Sequence, residues 1–234
     1  MSVGIKYLGH STLLITTPGG KKLLIDPWVN GNPACPEADK KLDRVDTLLI
    51  THSHMDHFAD AVEIGKQHQP QVACIYEIAT YLGGKGVTNI HPMNKGGSQT
   101  VNDVRVTMTD ARHSSSIIED SGAIYDGGEP AGFVVEFEGG LRLYHAGDTC
   151  VFPGMSIIAE LYKPDICILP IGDVFTMGPL EAAYACKLLG AKKVIPMHYA
   201  TFPLLTGTPE EFSKLAAPHG TEVIVLKPGQ QHVL

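Results

Sequence analysis

The chain has 234 residues, 44% of them hydrophobic and 18% charged, and a formal net charge of −7. Those figures suit a soluble globular protein with a sizeable core, and they argue against an extended phosphate-binding surface, which needs clustered Lys and Arg. The opening residues lack the basic-then-apolar pattern of a secretory signal, and no run of about 18 apolar residues predicts a membrane span.

The first predicted element pair is "GHSTLLITTPGGKKLLIDPW" (9–28), two extended runs about a Gly19-Gly20 turn, ending at Asp26. The apolar strand "VDTLLITH" (45–52) leads into "THSHMDHF" (51–58), and helix formers follow over 58–68. An alternating strand, "VRVTMTDARHS", ends at His113. A second hairpin, "AGFVVEFEGGLRLYHAGDTC" (131–150), turns at Gly139-Gly140 and ends at Asp148. "PDICILPIG" (164–172) corresponds to 45–52. A helix is predicted over 179–189, with Pro at its start and Gly190 beyond its end. "KKVIPMHYA" is a short strand ending at His198, and a last helix starts at Pro209.

The repeated order, at an offset near 120 residues, predicts one domain over 1–234 made of two similar halves, roughly 1–120 and 121–234. The predicted architecture is layered α/β, with sheets inside and helices outside. Five cysteines (Cys35, Cys74, Cys150, Cys167, Cys186) without a CxxC pair read as reduced thiols in a cytoplasmic protein.

The 51–58 segment carries the chemistry. In an extended chain, residues i and i+2 share a side, so His52 and His54 can grip one ion. Asp56 and His57 come as the chain turns and can face a second. Imidazole nitrogen and carboxylate oxygen suit zinc, and also manganese or iron. Four ligands cannot surround two ions, so partners are expected at other strand ends: His113, Asp148 and His198.

H-x-H-x-D-H, a lone His, G-D-T and a second lone His together resemble the metallo-beta-lactamase superfamily. "LGHST", "YHAGDT" and "GDVFTMGP" are similar to its small single-domain metal-dependent hydrolases, relatives of the L-ascorbate-6-phosphate lactonases. The resemblance implies a four-layer αββα sandwich. It implies that His52, His54 and His113 bind one divalent ion, that Asp56, His57 and His198 bind a second, and that Asp148 bridges both. Zinc is the favoured ion. The implied activity is hydrolysis of an ester, lactone or phosphodiester in a small substrate, anionic substrates included, with neither nucleic acid nor membrane as partner.

Asp56 is expected to act also as the acceptor that orients the nucleophile's proton. His10 and Asp26, brought together by the first hairpin at the end equivalent to that of Asp148, are expected to support the ligands or to touch substrate. His145 and Cys150 are expected to be structural, with Cys150 buried. The turn-rich stretches 27–39 and 114–130 offer Trp28, Tyr125 and Asp126 as substrate contacts, and the helix N-terminus near Asp173 offers donors to an anion. Two other readings remain: a flavodiiron-like redox protein, although such relatives typically carry Glu where this chain has His54, and a metal-stabilised binding module without catalysis.

Overall fold

The computed structural model describes residues 2–234. Its chain first lays down β1 (Gly4–Gly9), β2 (Thr12–Thr16) and β3 (Lys22–Ile25) as an antiparallel meander. After α1 (Glu37–Lys40) come β4 (Thr47–Leu49), α2 (Met55–Phe58), α3 (Ala61–His68), β5 (Gln71–Ile75), α4 (Tyr76–Gly84) and β6 (Ile90–Met93). Strands β4 to β6 extend the meander in parallel, with α3 and α4 in the crossovers.

A second sheet begins with the antiparallel β7 (Ser98–Val101) and β8 (Val104–Asp110). A separate ribbon of β9 (Ser116–Ile118) and β10 (Ile124–Asp126) follows. The sheet then continues through β11 (Ala131–Glu136), β12 (Arg142–His145), α5 (Gly154–Tyr162), β13 (Ile166–Pro170), α6 (Pro179–Leu189), β14 (Lys193–Met197), α7 (Pro209–Ala216) and β15 (Glu222–Val223). The last strand, β16 (Gln231–Val233), returns to pair with β1.

The sheet orders are β16-β1-β2-β3-β4-β5-β6 and β15-β14-β13-β12-β11-β8-β7. Aligned from their antiparallel edges, they match strand for strand and direction for direction. The chain passes between sheets after Met93, earlier than a boundary near 120 suggests, and the edge of the first sheet is supplied by the C-terminal end. His10, after β1, therefore stands where His113 stands after β8. Asp26, after β3, stands where Asp148 stands after β12.

Side-chain alternation sorts the core into layers. On β13, Ile166 and Ile168 enter the core between the sheets, while Cys167 and Leu169 enter the core under α5, α6 and α7. Leu143 and Tyr144 on β12 divide the same way. Burial on both faces explains why these strands read as continuous apolar runs. Ile64, Ile78 and Leu82 seat α3 and α4 on the first sheet, completing the four-layer α/β sandwich.

Local signals act as their chemistry predicts. Pro179 opens α6, and Gly190 closes it in the left-handed conformation (φ 57°), its N–H returning to the Cys186 and Lys187 carbonyls. Thr208 caps α7 by accepting the Glu211 N–H at 3.3 Å. The helix expected over 58–68 begins only at Ala61 as α3, with Phe58 closing the separate α2. Asp60 is tied to the loop after β3: its N–H donates to the Pro27 carbonyl, and its carboxylate accepts the Val29 and Asn30 N–H groups at 2.5 and 2.8 Å. Within 114–130, the chain pairs with itself as the β9–β10 ribbon, with Ile118 opposite Ile124.

Candidate metal centre

Each chemistry-bearing side chain leaves the end of a strand, where hydrogen-bonded backbone fixes its position. Two clusters result. In the first, His54 Nδ1 lies 3.1 Å from His52 Nε2 and 3.2 Å from His113 Nε2. In the second, His10, Asp56, His57 and His198 each offer a donor atom within 4.8 Å of the others. Asp148 lies between them. Its Oδ2 is 3.0 Å from His198 Nε2 and 3.3 Å from His57 Nε2, and 3.7 and 3.9 Å from His113 Nε2 and His52 Nε2.

Asp26 lies within 4.8 Å of donor atoms of His52 and His57 and orients both rings. Its Oδ2 accepts from His57 Nδ1 at 2.8 Å and from the Thr51 hydroxyl at 2.7 Å, and its Oδ1 accepts the Thr51 N–H at 2.8 Å. With its proton given to Asp26, the Thr51 hydroxyl accepts from His52 Nδ1 at 3.0 Å. Both imidazoles thus turn Nδ1 toward the Asp26–Thr51 pair and Nε2 toward the clusters, His57 held by Asp26 Oδ2 directly and His52 by the same oxygen through Thr51. Thr51 escapes sequence reading because a hydroxyl beside a histidine is common; its position between Asp26 and His52 becomes visible only when β3 and β4 are paired.

His10 donates from Nε2 to Asp56 Oδ2 at 2.9 Å, while its Nδ1 faces the Thr201 hydroxyl at 3.0 Å. Its backbone carbonyl accepts from His198 N–H and Tyr7 hydroxyl. One residue therefore fixes Asp56 through its ring and His198 through its main chain. Trp28, expected as a substrate contact, is buried and backs the His10 ring edge-on at 5.2 Å, stacking on Phe202 at 5.8 Å.

The electrostatics divide the clusters. Burial lowers the pKa of His52, His54 and His113, so the first three imidazoles are neutral with lone pairs available. Burial also lowers His10, to about 4, against its bond to Asp56. Burial pulls His57 and His198 the same way, but Asp148 reverses it, joined by Asp26 at His57; His57 is raised and His198 reaches about 9. Burial raises Asp148 and Asp56 too, yet the neighbouring histidines outweigh it and hold both well below the usual carboxylate range. The buried carboxylates thus favour positive charge at the second cluster, which a divalent ion would supply.

The donor set fits divalent ions. Around a tetrahedral ion with metal–nitrogen bonds of about 2.0–2.1 Å, donors lie about 3.3 Å apart, close to the spacing of His54 from His52 and from His113. Proton-free nitrogens facing one another cannot all be satisfied by hydrogen bonds. Buried His57 Nε2 and Asp148 Oδ1 indeed lack hydrogen-bond partners.

The other expected residues lie away from this convergence. His145 is buried and accepts the Gly147 N–H at 3.2 Å, a structural place. Cys150 is exposed rather than buried, because the chain leaves the sheet after Asp148 and holds there by its own N–H to the Arg112 carbonyl. Tyr125 packs on Tyr81, 5.5 Å between centroids, and Asp126 accepts the Gly128 N–H. Asp173 caps its own turn, accepting from the Val174 N–H and the Thr206 hydroxyl.

Sandwich and strand-end cluster together define the class. Residues 21–199 match the model of the Beta-lactamase superfamily domain, and the chain belongs to that superfamily. Within it, proteins from Rubrobacter xylanophilus and Koribacter versatilis named "UPF0173 metal-dependent hydrolase" are each 52% identical to it. Those matches cover 97% of this chain and 95% and 96% of the relatives, and the chain is a member of that family of metal-dependent hydrolases. A solved structure described as a novel metallo hydrolase, from the hyperthermophilic archaeon Ignicoccus hospitalis, is 34% identical with a TM-score of 0.89, covering 100% of this chain and 99% of that one.

Proposed function

We propose that this hydrolase works with two divalent ions, zinc by preference, and cleaves an ester, lactone or phosphodiester bond in a small substrate. His52, His54 and His113 would hold one ion, and Asp56, His57 and His198 the other, with Asp148 shared. One observation carries the reading: a single oxygen of Asp148 lies 3.0–3.9 Å from imidazole nitrogens of both clusters. One carboxylate can bind two cations and offset their repulsion.

When bound, such a pair supplies Lewis-acid polarisation of the scissile group and ionisation of water near neutral pH. The chain's own residues supply position. Asp26 keeps His57 and His52 in the tautomers that face the ions, and His10 anchors Asp56 Oδ2. Asp56 also serves as the acceptor that orients the nucleophile's proton. Its carboxylate stays ionised because burial is outweighed by the bonds from His10 and His198. The five free thiols fit work in a reducing compartment such as the cytoplasm.

The test is a substrate screen on protein loaded separately with zinc, manganese and iron, using carboxylic esters, lactones and phosphodiesters. Turnover at two ions per chain, lost in His54→Ala, is expected. Full turnover by protein verifiably free of metal would overturn the reading.

A further inference from the structure

Beside His54, a groove of about 450 Å³ runs between α2, α3, α4 and the β9–β10 ribbon. Its largest lining side chains are apolar, Met55, Phe58, Val62, Tyr81, Ile117 and Ile118, beside the smaller Ser53, Ser116 and Ser121. His54 itself forms part of the lining, so the groove is continuous with the first histidine cluster. A cavity of roughly 150 Å³ accommodates a benzene ring, so there is room for a larger aryl group or an alkyl chain.

The groove lining holds no Lys or Arg to pair with an anion. Its charged lining residues are Glu119 and Asp120, and Glu119 is already held by the Tyr81 hydroxyl at 2.8 Å and Lys85 at 2.5 Å. Moreover, Ile118 at 68% and Met55 at 60% exposure keep large apolar side chains in water at its rim, surface that an apolar ligand would cover.

We propose that this groove receives an uncharged apolar arm of the substrate, alkyl or aryl, attached to the carbonyl or phosphoryl group cleaved at the metal pair. The proposal rests on the reading of the two clusters as the reacting centre, and it names which side of that centre the substrate occupies. The anionic character a substrate could carry belongs to the part facing the ions, not to the arm.

The decisive measurement is calorimetric titration of the metal-loaded protein with straight-chain hydroxamic acids, from acetohydroxamic to octanohydroxamic acid. The headgroup chelates the ions and leaves the tail to find the groove. Affinity should rise about fourfold for each added methylene that is buried. Ile118→Glu at the rim and Val62→Trp within the groove should both flatten the series. A flat series in the unmodified protein, or an unchanged slope in both variants, would overturn the proposal. Chain-length dependence without hydrolysis of any substrate in the screen would overturn the ester, lactone or phosphodiester reading and leave the groove standing. Hydrolysis with a flat series would do the reverse.

Discussion

Replacing Asp26 with Asn leaves its shape intact and removes one of its two acceptor oxygens. Three donors converge on this carboxylate: His57 Nδ1–H, the Thr51 hydroxyl and the Thr51 N–H, at 2.8, 2.7 and 2.8 Å. An Asn oxygen kept on the Thr51 N–H turns the amide NH₂ toward His57 and the hydroxyl. His57 then accepts that hydrogen by shifting its own proton to Nε2, and the lone pair facing the second cluster disappears. The loss of a charge-assisted bond at a buried site costs about 1.5–3 kcal/mol, or roughly 10–100-fold in affinity. His57 is touched directly and His52 only through Thr51, so the ion of the second cluster should weaken more than that of the first. Competition with a chromophoric chelator measures both affinities, and circular dichroism checks that the sandwich is retained. Two ions bound with undiminished affinity by folded Asp26→Asn would refute the orienting role.

Other outcomes follow from the same geometry. His10→Ala frees Asp56 Oδ2 and should lower kcat about tenfold or more, with ions still bound by the first cluster, as kinetics and metal analysis together would show. Gly147→Ala should lower the melting temperature by roughly 2–12 °C: Gly147 has φ 63°, and a Cβ there would lie 2.5 Å from the Ala131 carbonyl oxygen and 3.0 Å from Thr51 Cβ. Chelation should destabilise the fold, because ions at 1,000 times their Kd contribute about 4.1 kcal/mol; identical thermal scans with and without chelator would contradict this. Phe212→Ala, in the core beneath α7, should cost about 3–5 kcal/mol while leaving metal content per folded chain unchanged.

Much of this arrangement could be read in the sequence because its signals are local. The i, i+2 spacing of His52 and His54 needs only an extended backbone, and His113, Asp148 and His198 announce themselves by ending apolar or alternating runs. Pro179 and Gly190 bound α6 with no help from the rest of the fold. What escaped depends on partners far along the chain. The break between α2 and α3 is set by Asp60 bonding to Val29 and Asn30. The edge strands β15 and β16 hold two and three residues, too few for an alternation pattern. Thr51 and Thr201 acquire meaning only once β3 meets β4 and the loop after β14 meets His10. Trp28 looked available for a ligand as the lone tryptophan in a loop, but burial against His10 and Phe202 gives it a supporting place instead.

The crossing of the chain between its two sheets has an engineering consequence. Val3 and Leu234 exchange backbone hydrogen bonds, so a few residues could link position 234 to position 3 without disturbing either strand. Opening the 94–97 turn at the same time would give a circular permutant running from 98 through 234 and on to 93. In that rearranged chain, each seven-stranded layer becomes one uninterrupted stretch of polypeptide. Divided between β15 and β16, such a permutant would give one fragment per sheet, with Asp26 and Asp148 on different pieces, so that reassembly of the pieces could be followed by their capture of metal.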